Sequence, residues 1–307
     1  MAATSDSAPG GFGRLLTAMV TPFTPAGAVD YDQAQRLARA LIDSGSDGLV
    51  VAGTTGESAT LSFEEEIGLY TAVKEAVGSD GHVLAATSSY DTRESVEVSR
   101  AAARTGVDGL LLVVPYYNKP PQEGLYRHFE AIAAAVDLPC LLYNIPGRTG
   151  VNLAPETIIR LAALANVVGV KEASGSLDAV SRIVEAAGPA FRVWSGDDQV
   201  TLPLLAVGGH GVICVSSHLV GRQMKALIES YLAGRVAEAA AIHRRLLPLM
   251  TALMTVASNP IPVKHALNAL GFPVGGLRLP LCDLDAVASA HLMAEVRRHQ
   301  IDLPVSV

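Results

Sequence analysis

Short apolar runs alternate along the chain with longer stretches in which apolar residues recur every three or four positions. The runs at Leu15 to Val20, Gly48 to Ala52, Val83 to Thr87, Gly109 to Val114, Pro139 to Tyr143, Val167 to Lys171, Phe191 to Trp194 and Gly211 to Val215 predict strands. They are continuously apolar, as expected of a parallel sheet covered on both faces. Helical spacing is found at Tyr31 to Ser44, Phe63 to Val77, Thr92 to Thr105, Gln122 to Ala135, Pro155 to Ala165, Leu177 to Ala187, Gln199 to Val207 and Leu219 to Ala233. Eight βα pairs are the number that closes a barrel. A doubly wound open sheet would also bury its strands, but no G-x-G-x-x-G follows the first one and no Walker A sequence is present. The expected fold is therefore α/β, a (β/α)8 TIM barrel over residues 14–236. A flexible tail is expected over 1–13. Beyond residue 236 the strand signal stops, and the stretches Ala239 to Val256, Ile261 to Leu270 and Leu284 to Gln300 predict a C-terminal helical extension over 237–307.

With 307 residues, 50% of them hydrophobic and 17% charged, the chain can form a core without disulfide staples. The net charge of -7 and the lack of any Lys/Arg run speak against nucleic acid as a partner. The longest strongly apolar run, Leu110 to Pro115, is far short of the roughly 20 residues a bilayer span needs. The first dozen residues lack the charged start and apolar stretch of a signal peptide. Cys140, Cys214 and Cys282 form no C-x-x-C pair and read as core thiols, so a reducing, cytoplasmic setting is expected. The eight histidines show no H-E-x-x-H spacing, and no metal site is expected.

In such a barrel the chemistry sits where the chain leaves the C-terminal ends of the strands. Lys171 closes the sixth run, where desolvation favours a neutral, nucleophilic amine; a lysine snorkelling to the rim or pairing with Glu172 is the plainer reading. Thr54 and Thr55 stand between glycines 53 and 56, suited to a small carboxylate or simply to a tight turn and helix cap. Tyr143 and Tyr117 offer phenols for proton transfer or plain aromatic packing. Arg148, in Pro-Gly-Arg-Thr-Gly, is either a solvated charge or a clamp for a substrate carboxylate. Asp197 and Asp198 read as helix caps.

Seven motifs, GTTGES (53–58), PYYNKP (115–120), YNIPGRTG (143–150), GVKEAS (169–174), SGDD (195–198), GGHGVI (208–213) and NPIPVK (259–264), carry a resemblance. Together they resemble the pyruvate-dependent class I aldolases of the dihydrodipicolinate synthase and N-acetylneuraminate lyase family, and Thr54-Thr55, Tyr117-Asn118 and Arg148 look like its synthase branch. The resemblance implies condensation of pyruvate with L-aspartate 4-semialdehyde to 4-hydroxy-tetrahydrodipicolinate in lysine and diaminopimelate biosynthesis. By the same resemblance Lys171 forms the imine with pyruvate, and Tyr143, Thr55 and Tyr117 form a proton relay. Thr54 and Thr55 hold the pyruvate carboxylate, Arg148 the semialdehyde carboxylate, and the Ile213 main-chain carbonyl lies beside the imine. No cofactor beyond that covalent imine is implied. Tyr117 is implied to reach a neighbouring subunit's site, hence a homotetramer. Another aldolase of the family, acting on a sugar acid, 4-hydroxy-2-oxoglutarate or an aromatic adduct, is the alternative; a non-catalytic keto-acid-binding barrel is a remote one. Lysine-sensitive members bind L-lysine after the second and third strands, partly through an asparagine. Tyr90 stands at that place here, and Phe63 where a histidine is often found, so insensitivity to L-lysine is expected.

Overall fold

The computed structural model describes residues 11–305. Eight strands form in chain order: β1 (Leu15–Ala18), β2 (Gly48–Val51), β3 (His82–Ala86), β4 (Gly109–Val113), β5 (Cys140–Asn144), β6 (Val167–Glu172), β7 (Arg192–Ser195) and β8 (Gly211–Cys214). They close into a barrel in that same order. Each strand lies within two residues of its expected place, because a strand buried on both faces writes itself as an uninterrupted apolar run. The helices are α1 (Tyr31–Asp43), α2 (Phe63–Val77), α3 (Thr92–Ala103), α4 (Gln122–Ala133), α5 (Pro146–Thr149), α6 (Pro155–Leu161), α7 (Leu177–Ala186), α8 (Thr201–Ala206), α9 (Ser217–Leu232), α10 (Val236–Thr255), α11 (Ile261–Ala269) and α12 (Ala286–Val296). Helix starts are chemically marked: Ser62 and Glu65 form a capping box on α2, and Asp30, Asp91, Ser176 and Asp285 cap α1, α3, α7 and α12.

The chain divides into two compact units. The first runs over Leu84–Ile213 and takes in the described residues up to Arg14. Here β4, β5, β6 and β7 pair in parallel, and Leu110, Leu112, Leu141, Leu142, Val170 and Trp194 are fully buried. A Cβ on Gly169 would collide with the Arg192 carbonyl oxygen and stand 2.8 Å from the Trp194 ring, so β6 needs a glycine two residues before Lys171. Of the tail expected over 1–13, residues 1–10 lie outside the described residues. Residues 11–13 do not continue it: all three are buried, and Gly13 accepts a 3.0 Å hydrogen bond from the Trp194 indole. Phe12, 3% exposed, packs its ring near the same tryptophan.

The second unit comprises Leu15–Val83 and the described residues from Cys214 onward. Strands β1 and β2 pair in parallel, and the Thr17 hydroxyl bonds those of Ser46 and Ser217 at 2.6 and 2.7 Å. Helices α9, α10, α11 and α12 pack on one another within this unit. The compact units thus do not follow the division at 236/237: α10 to α12 cluster with β1 and β2 through α9, whose Leu219, Met224 and Leu227 are fully buried. Cys140 and Cys214 are buried, but Cys282, expected in the core, is exposed in the non-helical segment before α12. Among the described residues, no helix is long and apolar enough to cross a membrane.

Candidate active site

Lys171 is the fifth residue of β6 and lies opposite Tyr143 of β5 in the parallel register. Both are buried, at 6% exposure each, and the Lys171 Nζ sits 4.2 Å from the centroid of the Tyr143 ring. An amine and a phenol are thus held together in a nearly dry setting, the two group types that nucleophilic attack on a carbonyl and proton transfer employ. Gly196, after β7, packs on the lysine stem: a Cβ there would come within 3.1 Å of the Lys171 Cε.

The next register pair, Asn144 and Glu172, points to the opposite face of the two strands, since side chains alternate. Asn144 Nδ2 donates to both Glu172 carboxylate oxygens at 3.0 and 3.2 Å, and its Oδ1 accepts from the Leu153 N–H at 2.9 Å. Glu172 also accepts from the Ser174 N–H at 2.7 Å. Two buried polar side chains thus fix the strand ends that carry Tyr143 and Lys171, and so Glu172 is engaged by Asn144 and Ser174.

Arg148 is exposed on α5, a single turn begun by Pro146 and closed by Gly150 in the left-handed region, at φ +72°. Four residues are too few for a helical period, and the sequence pattern accordingly leaves this turn unmarked. Tyr117, after β4, is 92% exposed with φ +74°, unusual for a bulky residue. Ile213 is buried in β8. Asp197 caps the turn at residues 198–200 by accepting from the Gln199 N–H, as its position suggests, and burial raises its carboxyl above the usual range.

In the second unit, Thr54 is half-buried and Thr55 buried on the loop that leaves β2. The Thr55 hydroxyl accepts a 2.9 Å hydrogen bond from Asn259 Nδ2. The Gly56 carbonyl accepts from the Thr21 hydroxyl at 2.6 Å. Glu57, in the left-handed region at φ +57°, forms an ion pair of 2.8 Å with Lys264, and both side chains are 1% exposed. Lys264 further donates to the Thr21 carbonyl at 2.9 Å, while the other Glu57 oxygen accepts from the Arg278 N–H at 3.0 Å. Burial lowers the Lys264 ammonium from its ordinary range, and the bond to Glu57 opposes that shift.

The model of the dihydrodipicolinate synthetase family matches residues 11–299. The chain belongs to this family. It is 57% identical over 293 residues to a 4-hydroxy-tetrahydrodipicolinate synthase of Dehalococcoides mccartyi, covering 95% of this chain and 98% of that protein. A synthase of the same name from Symbiobacterium thermophilum is 60% identical over 273 residues, 89% of this chain and 92% of its own length. Among solved structures, dihydrodipicolinate synthase from Cyanidioschyzon merolae with lysine bound superposes with a TM-score of 0.92 at 50% identity, covering 94% of this chain and 98% of that one.

Among the described residues, no cluster of three or more His, Cys, Asp or Glu is placed to hold a metal ion. Reading the sequence alone does not assign Asn259, Lys264, Glu57, Asn144 or Glu172 a part in this family's site. The only signal for them is that each falls inside one of the motifs quoted above, with nothing in the spacing to say which partner it meets.

Proposed function

We propose that this chain condenses pyruvate with L-aspartate 4-semialdehyde to give 4-hydroxy-tetrahydrodipicolinate, through a Schiff base on Lys171. The observation that carries the reading is a buried lysine amine at the end of β6, 4.2 Å over the Tyr143 ring, in a chain of this family. The Lys171 amine attacks the ketone carbon of pyruvate and water leaves. The protonated imine then draws electrons from the neighbouring methyl group, so a C–H bond breaks and an enamine forms. The enamine carbon attacks the aldehyde carbon, and the aldehyde oxygen takes up a proton. Because the imine nitrogen is the electron sink, no metal or other cofactor is needed.

Tyr143, Thr55 and Tyr117 move protons in this scheme. Thr54 and Thr55 hold the pyruvate carboxylate, on a loop whose Gly56, Glu57 and Ser58 N–H groups bond the Gly53 and Thr54 carbonyls. Arg148 takes the semialdehyde carboxylate, and the Ile213 carbonyl faces the imine. The exposure of Tyr117 and its left-handed backbone support a homotetramer in which this residue of one copy enters a neighbour's site. The reaction takes place in the cytoplasm, on small-molecule substrates.

Borohydride reduction in the presence of pyruvate tests the scheme. It should inactivate the protein and add a reduced pyruvyl group to the peptide bearing Lys171. Labelling at another lysine, or none, would overturn it. Labelling at Lys171 without turnover of the semialdehyde would point instead to another pyruvate-dependent aldolase.

A further inference from the structure

Three consecutive residues of the loop after β2 are each gripped from elsewhere in the second unit: Thr55 by Asn259, Gly56 by Thr21 and Glu57 by Lys264. Two of the three grips come from one stretch, Asn259 to Lys264, more than 200 positions along the chain. The loop is bracketed by non-glycine residues in the left-handed region, Ala52 at φ +52° and Glu57 at φ +57°. Such backbone persists only where its surroundings over-determine it, and it gathers at functional sites. The Lys264 to Glu57 pair, fully buried and tied further to Thr21 and Arg278, anchors the loop. The bond from Asn259 differs in kind, because it ends on a hydroxyl rather than on a fixed backbone or carboxylate atom.

A threonine hydroxyl carries one proton and two lone pairs, and its proton turns to suit its partners. Asn259 Nδ2 donates to Thr55 Oγ1 at 2.9 Å with both residues nearly dry, at 6% and 4% exposure. One lone pair is thereby occupied, so the hydroxyl's own proton must be given elsewhere. We propose that Asn259 is a positioning residue, which by filling a lone pair of Thr55 orients the threonine hydroxyl toward the bound pyruvate. The C-terminal stretch after α10 then orients a substrate contact as well as packing against its neighbours. This inference rests on the pyruvate reading above.

A double-mutant cycle in the full-length protein tests it, using Asn259→Ala, Thr55→Val and the pair. The readouts are KM for each substrate and the rate of borohydride trapping at limiting pyruvate. Asn259→Ala should raise KM for pyruvate about tenfold while changing KM for the semialdehyde less than about twofold, and it should cost nearly nothing further in the Thr55→Val background. Asn259→Asp is isosteric and only accepts when ionised; it should draw the threonine proton to itself and impair trapping more than alanine does. It also carries the cycle should the alanine variant fail to fold. Equal losses in both backgrounds, or an aspartate variant as active as the parent, would overturn the role of Asn259 and leave the Lys171 chemistry standing. A parent protein that cannot be trapped with pyruvate would overturn both.

Discussion

The Lys171 amine lies over the face of the Tyr143 ring, 4.2 Å from its centroid, because the two residues are partners in the β5–β6 register. The contact is made by the ring, whereas the proton transfers proposed for Tyr143 need the hydroxyl. These can be separated. Tyr143→Phe keeps the ring over the lysine and should leave the thermal midpoint unchanged, yet lower kcat by about 10²-fold or more. A variant with parental kcat would reduce Tyr143 to a packing element.

Arg148 is held on a one-turn helix between Pro146 and Gly150, with its side chain exposed. Water competes for an exposed guanidinium, so its pairing with a carboxylate is weaker than that of a buried one. Arg148→Ala should raise KM for the semialdehyde about tenfold and KM for pyruvate less than about twofold. Steady-state kinetics with each substrate varied in turn decides this. Equal effects on both would remove Arg148 from recognition of the second substrate.

Tyr90 is half-exposed after β3 and meets Tyr116 edge-on, with ring centroids 5.3 Å apart. Its carbonyl accepts from Asn118, and the carboxylate of Glu94 already accepts from the Ser89 hydroxyl at 2.8 Å. If the place after the third strand is where family members hold L-lysine, as the sequence resemblance implies, a phenol there removes the amide that would pair with the ligand's carboxylate. Turnover at saturating pyruvate should be unaffected by sub-millimolar L-lysine. Half-inhibition in that range would show that Tyr90 does not block the site.

His218 is fully buried and accepts the Val20 N–H at Nε2, so its proton is on Nδ1, donated to the Val215 carbonyl at 2.9 Å. Burial pushes its pKa down to about 4, and His128 is likewise lowered to about 4 by burial. Unfolded histidine titrates near 6.5. Between those values the unfolded chain binds the extra protons, so these residues contribute stability that is complete above about pH 6.5 and is lost as the pH falls toward about 4. At pH 5 each should cost roughly 2 kcal/mol relative to pH 7. Urea midpoints measured across that range should fall with pH, and ¹⁵N imidazole shifts should show His218 still neutral at pH 5. A protonated His218 in the folded protein at pH 5 would overturn this account.

What the chain declares locally, it declares well. Helix α2 begins and ends where the sequence places it, because Ser62 and Glu65 cap it within one turn and Gly78 receives its last residues. The strands are legible because burial on both faces demands unbroken apolar runs, and Lys171 stands out as a charge at the end of one. Tertiary structure alone decided the rest. The bond from Asn259 to Thr55 and the pair of Lys264 with Glu57 join residues 204 and 207 positions apart. Phe12 likewise belongs to the fold only because Trp194 lies beside it. Hydrophobic period and capping are set by neighbours three or four residues away, whereas a buried polar side chain is given its partner by how distant elements pack. A single sequence records the donor and the acceptor, but not which of them will meet.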